Sequence, residues 1–109
     1  MSLLKGLRSF FRWEPTPPPR PAGVWFEGGD GSSRENAVVV RGAVWEMEGI
    51  AATFAWMEWH FGRKDQDWTL VTHSTGGDEH RKIDTFVVTL ADGSRRTVFF
   101  DVSESYGKR

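Results

Sequence analysis

The stretch Glu46-Met47-Glu48-Gly49-Ile50-Ala51-Ala52-Thr53-Phe54-Ala55-Trp56-Met57-Glu58-Trp59-His60-Phe61 decides the fold. Ile50, Phe54, Met57 and Phe61 recur at i, i+4, i+7 and i+11, the apolar stripe of a helix laid against a core. Glu46 and Glu48 stand where the partial positive charge of a helix N-terminus favours carboxylates. Gly62, followed by Arg63 and Lys64, supplies the stop.

Working outward from the helix, the period changes to two. Trp68–Thr75, Lys82–Leu90 and Arg95–Val102 read as strands, separated by Gly76-Gly77-Asp78 and by Asp92-Gly93. On the other side of the helix, Ala37–Arg41 is a β-branched strand centred on Val38, Val39 and Val40. Val24-Trp25-Phe26 can form a further short strand ahead of it. The sequence therefore predicts an α+β fold, one long amphipathic helix packed on an antiparallel sheet of about four strands in the order β-α-β-β-β.

The register of the last hairpin follows from which residues must share the core. Phe86, Val88 and Leu90 line one side of their strand, and Val98, Phe100 and Val102 one side of the next. A two-residue Asp-Gly loop pairs Phe86 with Phe99 and puts the two sets on opposite faces. A three-residue loop, Ala91-Asp92-Gly93, pairs Phe86 with Val98 and unites them, with Gly93 taking a left-handed conformation. The other face then carries Ile83, Thr85, Val87 and Thr89 beside Thr97, Phe99 and Asp101. That set is more apolar than a face that simply meets water, so it invites a cover.

With 109 residues the chain suits a single core, and six Trp and eight Phe give that core ample apolar area. The expected organisation is a basic amphipathic helix over residues 1–14, a proline-rich linker over 15–22 and one α+β domain over 23–109. In the first segment Leu3, Leu7, Phe10 and Phe11 form one stripe and Lys5, Arg8 and Arg12 another. It reads as a contact helix for its own domain or a neighbour, with weak membrane-surface attachment as another use. Lys5 and Arg8 interrupt the apolar run that a signal peptide needs, and no stretch has transmembrane length, so an integral membrane segment is not expected and the cytoplasm is the expected location.

A formal net charge of -1 provides no global field for nucleic acid, which is not expected as a partner. The chain has no cysteine, which excludes thiolate nucleophiles, disulfides and Cys-based zinc sites. His60, His73 and His80 lack ligand spacing, so no metal and no cofactor are expected. The macrodipole at the helix C-terminus favours the charged form of His60, and straight alternation from Leu70 points His73 to the second sheet face. The loop Gly28-Gly29-Asp30-Gly31-Ser32-Ser33 resembles a phosphate cradle in composition. It lacks a following Lys-Ser or Lys-Thr and leads into a strand, so it reads as a structural turn. Asp84, Asp101, Glu58 and His73 are the polar groups whose convergence near the sheet would permit acid/base chemistry.

Gly29-Asp30-Gly31-Ser32-Ser33, Glu35-Asn36-Ala37-Val38-Val39, Gly49-Ile50 and Phe100-Asp101-Val102-Ser103 together resemble a pattern in a family of small bacterial proteins. The resemblance covers roughly residues 24–107 and implies no activity. The strand, helix, three-strand order resembles cystatin-like folds, which host inhibitors, binding modules and a few enzymes. The reading that remains is a non-enzymatic protein-interaction module of regulatory, inhibitory or immunity type. It would bind a protein partner or itself, as a homo-oligomer, through the second sheet face and exposed aromatics. Candidate binding residues are Trp56, Trp59, His73, Val87 and Phe99. The alternatives are a small-ligand binder or enzyme with a helix-sheet pocket lined by Trp56, Trp59, Phe86 and Phe100, and a peripheral membrane adaptor acting through the N-terminal helix.

Overall fold

The computed structural model describes residues 22–109. The expected N-terminal helix, with Leu3, Leu7, Phe10 and Phe11, and all of the linker but Ala22 lie outside the described residues. The elements are β1 (Trp25–Gly28), β2 (Val38–Arg41), α1 (Glu46–Phe61), β3 (Trp68–Gly77), β4 (Lys82–Leu90) and β5 (Arg95–Asp101). The fold is α+β, with the one described helix on a five-stranded sheet ordered β1-β2-β5-β4-β3.

Two features depart from the expected sheet. β1 is a genuine strand, antiparallel to β2 with Trp25 opposite Arg41, so the sheet of the described residues has five strands and not about four. The sheet is also mixed, because β2 runs parallel to β5, pairing Val38 with Phe100 and Val39 with Asp101. The cause is the path of the chain. α1 carries it to the far edge, and the β3-β4-β5 meander then brings β5 back beside β2 in β2's own direction.

The hairpin register is the one that core sharing demands: Phe86 lies opposite Val98, and Thr89 opposite Arg95. The Leu90 amide donates to the Ser94 carbonyl at 2.8 Å across Ala91-Asp92-Gly93, and Gly93 has φ +87°. Phe86, Val88, Val98 and Phe100 are buried as a set.

α1 covers this face with a broader arc than its four-residue stripe. Met57, Ala52 and Thr53 are fully buried, whereas Ile50, Phe54 and Phe61 are half-buried. Phe54 meets Phe86 edge-on at 5.5 Å between centroids and Trp56 meets Phe100 edge-on at 5.4 Å. Each such pair contributes about 0.5–1.5 kcal/mol beyond its buried area. Trp68 fastens the helix C-terminus: its ring is buried and its indole N–H donates to the Gly62 carbonyl at 2.8 Å.

The C-terminal residues fasten the other end of α1. The Glu46 amide donates to the Lys108 carbonyl at 2.9 Å, and the Gly107 amide donates to the Glu46 carboxylate at 3.0 Å. Gly49 sits directly against Ser105, so closely that a Cβ at this position would collide with the Ser105 hydroxyl. The Gly49-Ile50 pair and the segment after Phe100-Asp101-Val102-Ser103, remote in sequence, are thus one contact in space.

Candidate functional site

β3 forms one edge of the sheet, and its first part decides where its polar side chains go. Leu70 lies opposite Val88, then both Val71 and Thr72 fall opposite Val87, and His73 lies opposite Phe86. The extra residue is a β-bulge, and it reverses the alternation. His73 therefore faces α1, not the second sheet face that straight alternation predicts.

On the helix side His73 stacks on Phe86, with centroids 4.1 Å apart and planes within 7°. Its Nε2 lies 3.4 Å from Asp84 Oδ2, and the Thr75 hydroxyl donates to Asp84 Oδ1 at 2.6 Å. The Asp84 side chain is only 5% exposed. A carboxylate buried this far is tolerated because each oxygen has a polar neighbour. These three groups border a cavity of about 90 Å³ that Glu46, Ser105 and Tyr106 close from the helix and the C-terminal turn. Of the four groups whose convergence was in question, Asp84 and His73 do meet. Asp101 instead receives the Arg81 guanidinium at 3.1 Å, and Glu58 is exposed.

Among the described residues, no strand pairs with the outer edge of β3 over most of its length. Near Trp68 it is covered, since the Asp65 amide donates to the Trp68 carbonyl and Lys64 bridges to Trp68. Beyond that every residue from Val71 to Gly77 is exposed. The direction of the free amides follows from the ladder. Leu90 bonds toward β5, so the even-numbered residues of β4 face β5 and the odd-numbered ones face β3. The β3 partners of those odd residues are Thr69, Thr72, Ser74 and Gly76. His73 and Thr75 are left with their amides pointing outward.

A second concavity of about 740 Å³ lies at the other end of α1, between the Gly29–Ser32 loop, the β4-β5 hairpin, and Trp56, His60 and Phe61. His60 stacks on Trp56 at 3.9 Å, and the Arg96 guanidinium sits 5.7 Å from the Phe61 centroid. Burial lowers the pKa of His60, the opposite direction from the one the helix dipole was expected to impose. Asp30 is held below its ordinary range by hydrogen bonds from Ser32, and Asp92 likewise by Ser94. The Gly-rich loop is a structural turn: the Gly31 amide donates to the Asn36 carbonyl, and the Gly31 carbonyl accepts from the Phe99 amide.

The five candidate residues do not share one surface. Trp56 lines the large groove, whereas Trp59 is 43% exposed and touches the His60 ring from outside the groove. Val87 and Phe99 are half-buried on the second sheet face. Arg81 runs across that face from Asp101 to the Arg34 carbonyl. Phe86 and Phe100, expected to line a helix-sheet pocket, are fully buried and fill the core. Thr75, Ser105 and the open edge were missed in the sequence. The signal available for the edge was the run Thr69–Gly77, which holds no Asp, Glu, Lys, Arg or Pro.

Comparison of the chain with protein-family models, with curated proteins and with solved structures finds no match. Among the described residues no helix is long and apolar enough to cross a membrane.

Proposed function

We propose that this domain is a non-enzymatic protein-interaction module, working in the cytoplasm, that binds an extended segment of a partner by adding it as a sixth strand along β3. One observation supports the reading: β3 is a ten-residue edge strand whose outer side is exposed from Val71 to Gly77 and whose sequence from Thr69 onward carries no charge or proline to repel a new strand. Main-chain donors at His73 and Thr75 would supply affinity. The alternating side chains of Thr72 and Ser74 on one face and His73 and Thr75 on the other would select the partner.

The test is selection of extended heptapeptides against the full chain, followed by titration calorimetry on Thr72→Lys/Ser74→Lys. The double variant is expected to bind at least about tenfold more weakly, a loss of roughly 1.4 kcal/mol, while Trp59→Ala binds as wild type. Peptides that ignore the double variant and instead lose affinity on Arg96→Ala would contradict strand addition. That outcome would favour the second reading, a small-ligand site in the groove of Trp56, Phe61 and Arg96, whose volume of about 740 Å³ suits such a ligand. A membrane-surface role for residues 1–14 is a separate proposal. It requires vesicle binding that vanishes when Lys5, Arg8 and Arg12 are neutralised.

A further inference from the structure

We infer that the small cavity between β3, the start of α1 and the C-terminal turn is a binding site for a primary ammonium group. The cavity does not depend on strand addition, although His73 and Thr75 belong to the same strand. Its volume of about 90 Å³ is lined by two carboxylate residues, Asp84 and Glu46, and by the hydroxyl-bearing Thr75, Ser105 and Tyr106, with His73 at its side.

The decisive group is Ser105. It is 2% exposed, it lines the cavity, and its hydroxyl has no hydrogen-bond partner among the described residues. A buried hydroxyl without a partner is costly, so it points to an occupant. Around it acceptors outnumber donors. Thr75 occupies Asp84 Oδ1 and the Gly107 amide occupies Glu46 Oε1; among the described residues Asp84 Oδ2 has only the 3.4 Å approach of His73, and Glu46 Oε2 has no hydrogen-bond donor. Lys82 stands near, 5.1 Å from the centroid of the Tyr106 ring, but is not among the lining residues. Two carboxylates against one imidazole leave the cavity short of positive charge. An ammonium brings three N–H donors to Asp84 Oδ2, which the imidazole reaches only at 3.4 Å, to Glu46 Oε2 and to the Ser105 hydroxyl in a compact head. A guanidinium is planar and wider, and a quaternary ammonium has no N–H to give.

The test is an NMR titration of the isotope-labelled full chain with methylammonium chloride, and separately with tetramethylammonium chloride, at constant ionic strength. Saturable shifts at the amides of Gly49, Thr75 and Ser105 are expected with methylammonium alone. Glu46→Gln should weaken binding about tenfold and Ser105→Ala several-fold, both with unchanged spectra elsewhere. A capped lysine amide binding more tightly than methylammonium supports the site and assigns its occupant to a side chain of a docked protein; the reverse order supports it with a free amine. Non-saturable shifts, equal shifts with tetramethylammonium, or binding indifferent to both variants would overturn the site and leave the cavity to ordered water, of which it holds about three molecules at roughly 30 Å³ each.

Discussion

β1 and β3 close the same sheet at opposite ends, and they differ in length, charge and attachment. β1 has four residues, and its Glu27 carboxylate accepts from the Trp25 indole at 2.8 Å and meets Arg41 of β2 at 3.2 Å. Arg41 in turn lies 3.6 Å from Glu104, whose carboxylate also receives the Gly42 amide. β3 has ten residues, anchored at one end by buried Trp68 and thereafter unpaired on its outer side among the described residues, with a bulge at Val71. A short, charged edge resists a new strand, and a long neutral one accepts it. The contrast teaches that availability for pairing is set by what the edge lacks as much as by what it displays.

The largest effect that can break this comparison is at the two edge tryptophans. Trp68→Ala removes a buried ring and the donor to Gly62, and should cost about 3–5 kcal/mol in a urea titration. Trp25→Ala, at a site 49% exposed, should cost under about 1 kcal/mol in the same experiment. Equal costs would mean that β3 is not anchored as described.

Gly49→Ala comes next. Alanine is the better helix former by about 1 kcal/mol, so an open site would be stabilised. Here the added Cβ meets Ser105, which is held between the helix and the turn, and the expected outcome is a loss of about 1–3 kcal/mol. Gly49→Ala/Ser105→Gly should recover most of it. A stabilised single variant would show that the C-terminal turn does not clamp α1.

Gly93→Val should cost about 1–2 kcal/mol through its left-handed backbone alone, since nothing crowds the site. A urea titration checks the loss, and peptide binding should be unchanged, because this turn sits at the Leu90–Trp68 end of the β3-β4 ladder and away from the Val71–Gly77 edge.

The smallest effect concerns pH. Burial alone would raise the Asp101 carboxyl, but hydrogen bonds from the Ser103 hydroxyl and amide and from Arg81 outweigh it and hold the pKa below the ordinary 3.8. A depressed carboxylate adds stability that is complete above the unfolded value and fades as pH falls through the folded one. Asp101→Asn should therefore flatten the acid limb of the stability profile below pH 3.8 and leave peptide binding near neutrality unchanged.

Much of this fold was legible in the chain because local periodicity carried it. The helix from Glu46 to Phe61 and the pairing of Phe86 with Val98 follow from residues that must reach one core. The parallel pairing of β2 with β5 was not legible, since it depends on where a meander returns after the helix. The site was less legible still. His73 turns on a bulge at Val71 and Thr72 that no glycine marks, and one extra residue moves its side chain to the opposite face. Gly49 and Ser105 stand far apart in sequence, and only the folded chain shows why the glycine is there. For His60, its place at the helix C-terminus is readable from position, whereas the desolvation that lowers its pKa is not.

The most direct test of the central claim is amide hydrogen exchange at His73 and Thr75, whose N–H groups point away from β4, measured in the free full chain and with a selected peptide bound. Strand addition predicts fast exchange at both in the free protein and strong slowing on binding, with no change at Phe26 and Glu27 of β1. Unchanged exchange at His73 and Thr75 under saturating peptide would contradict it and move the interaction away from β3.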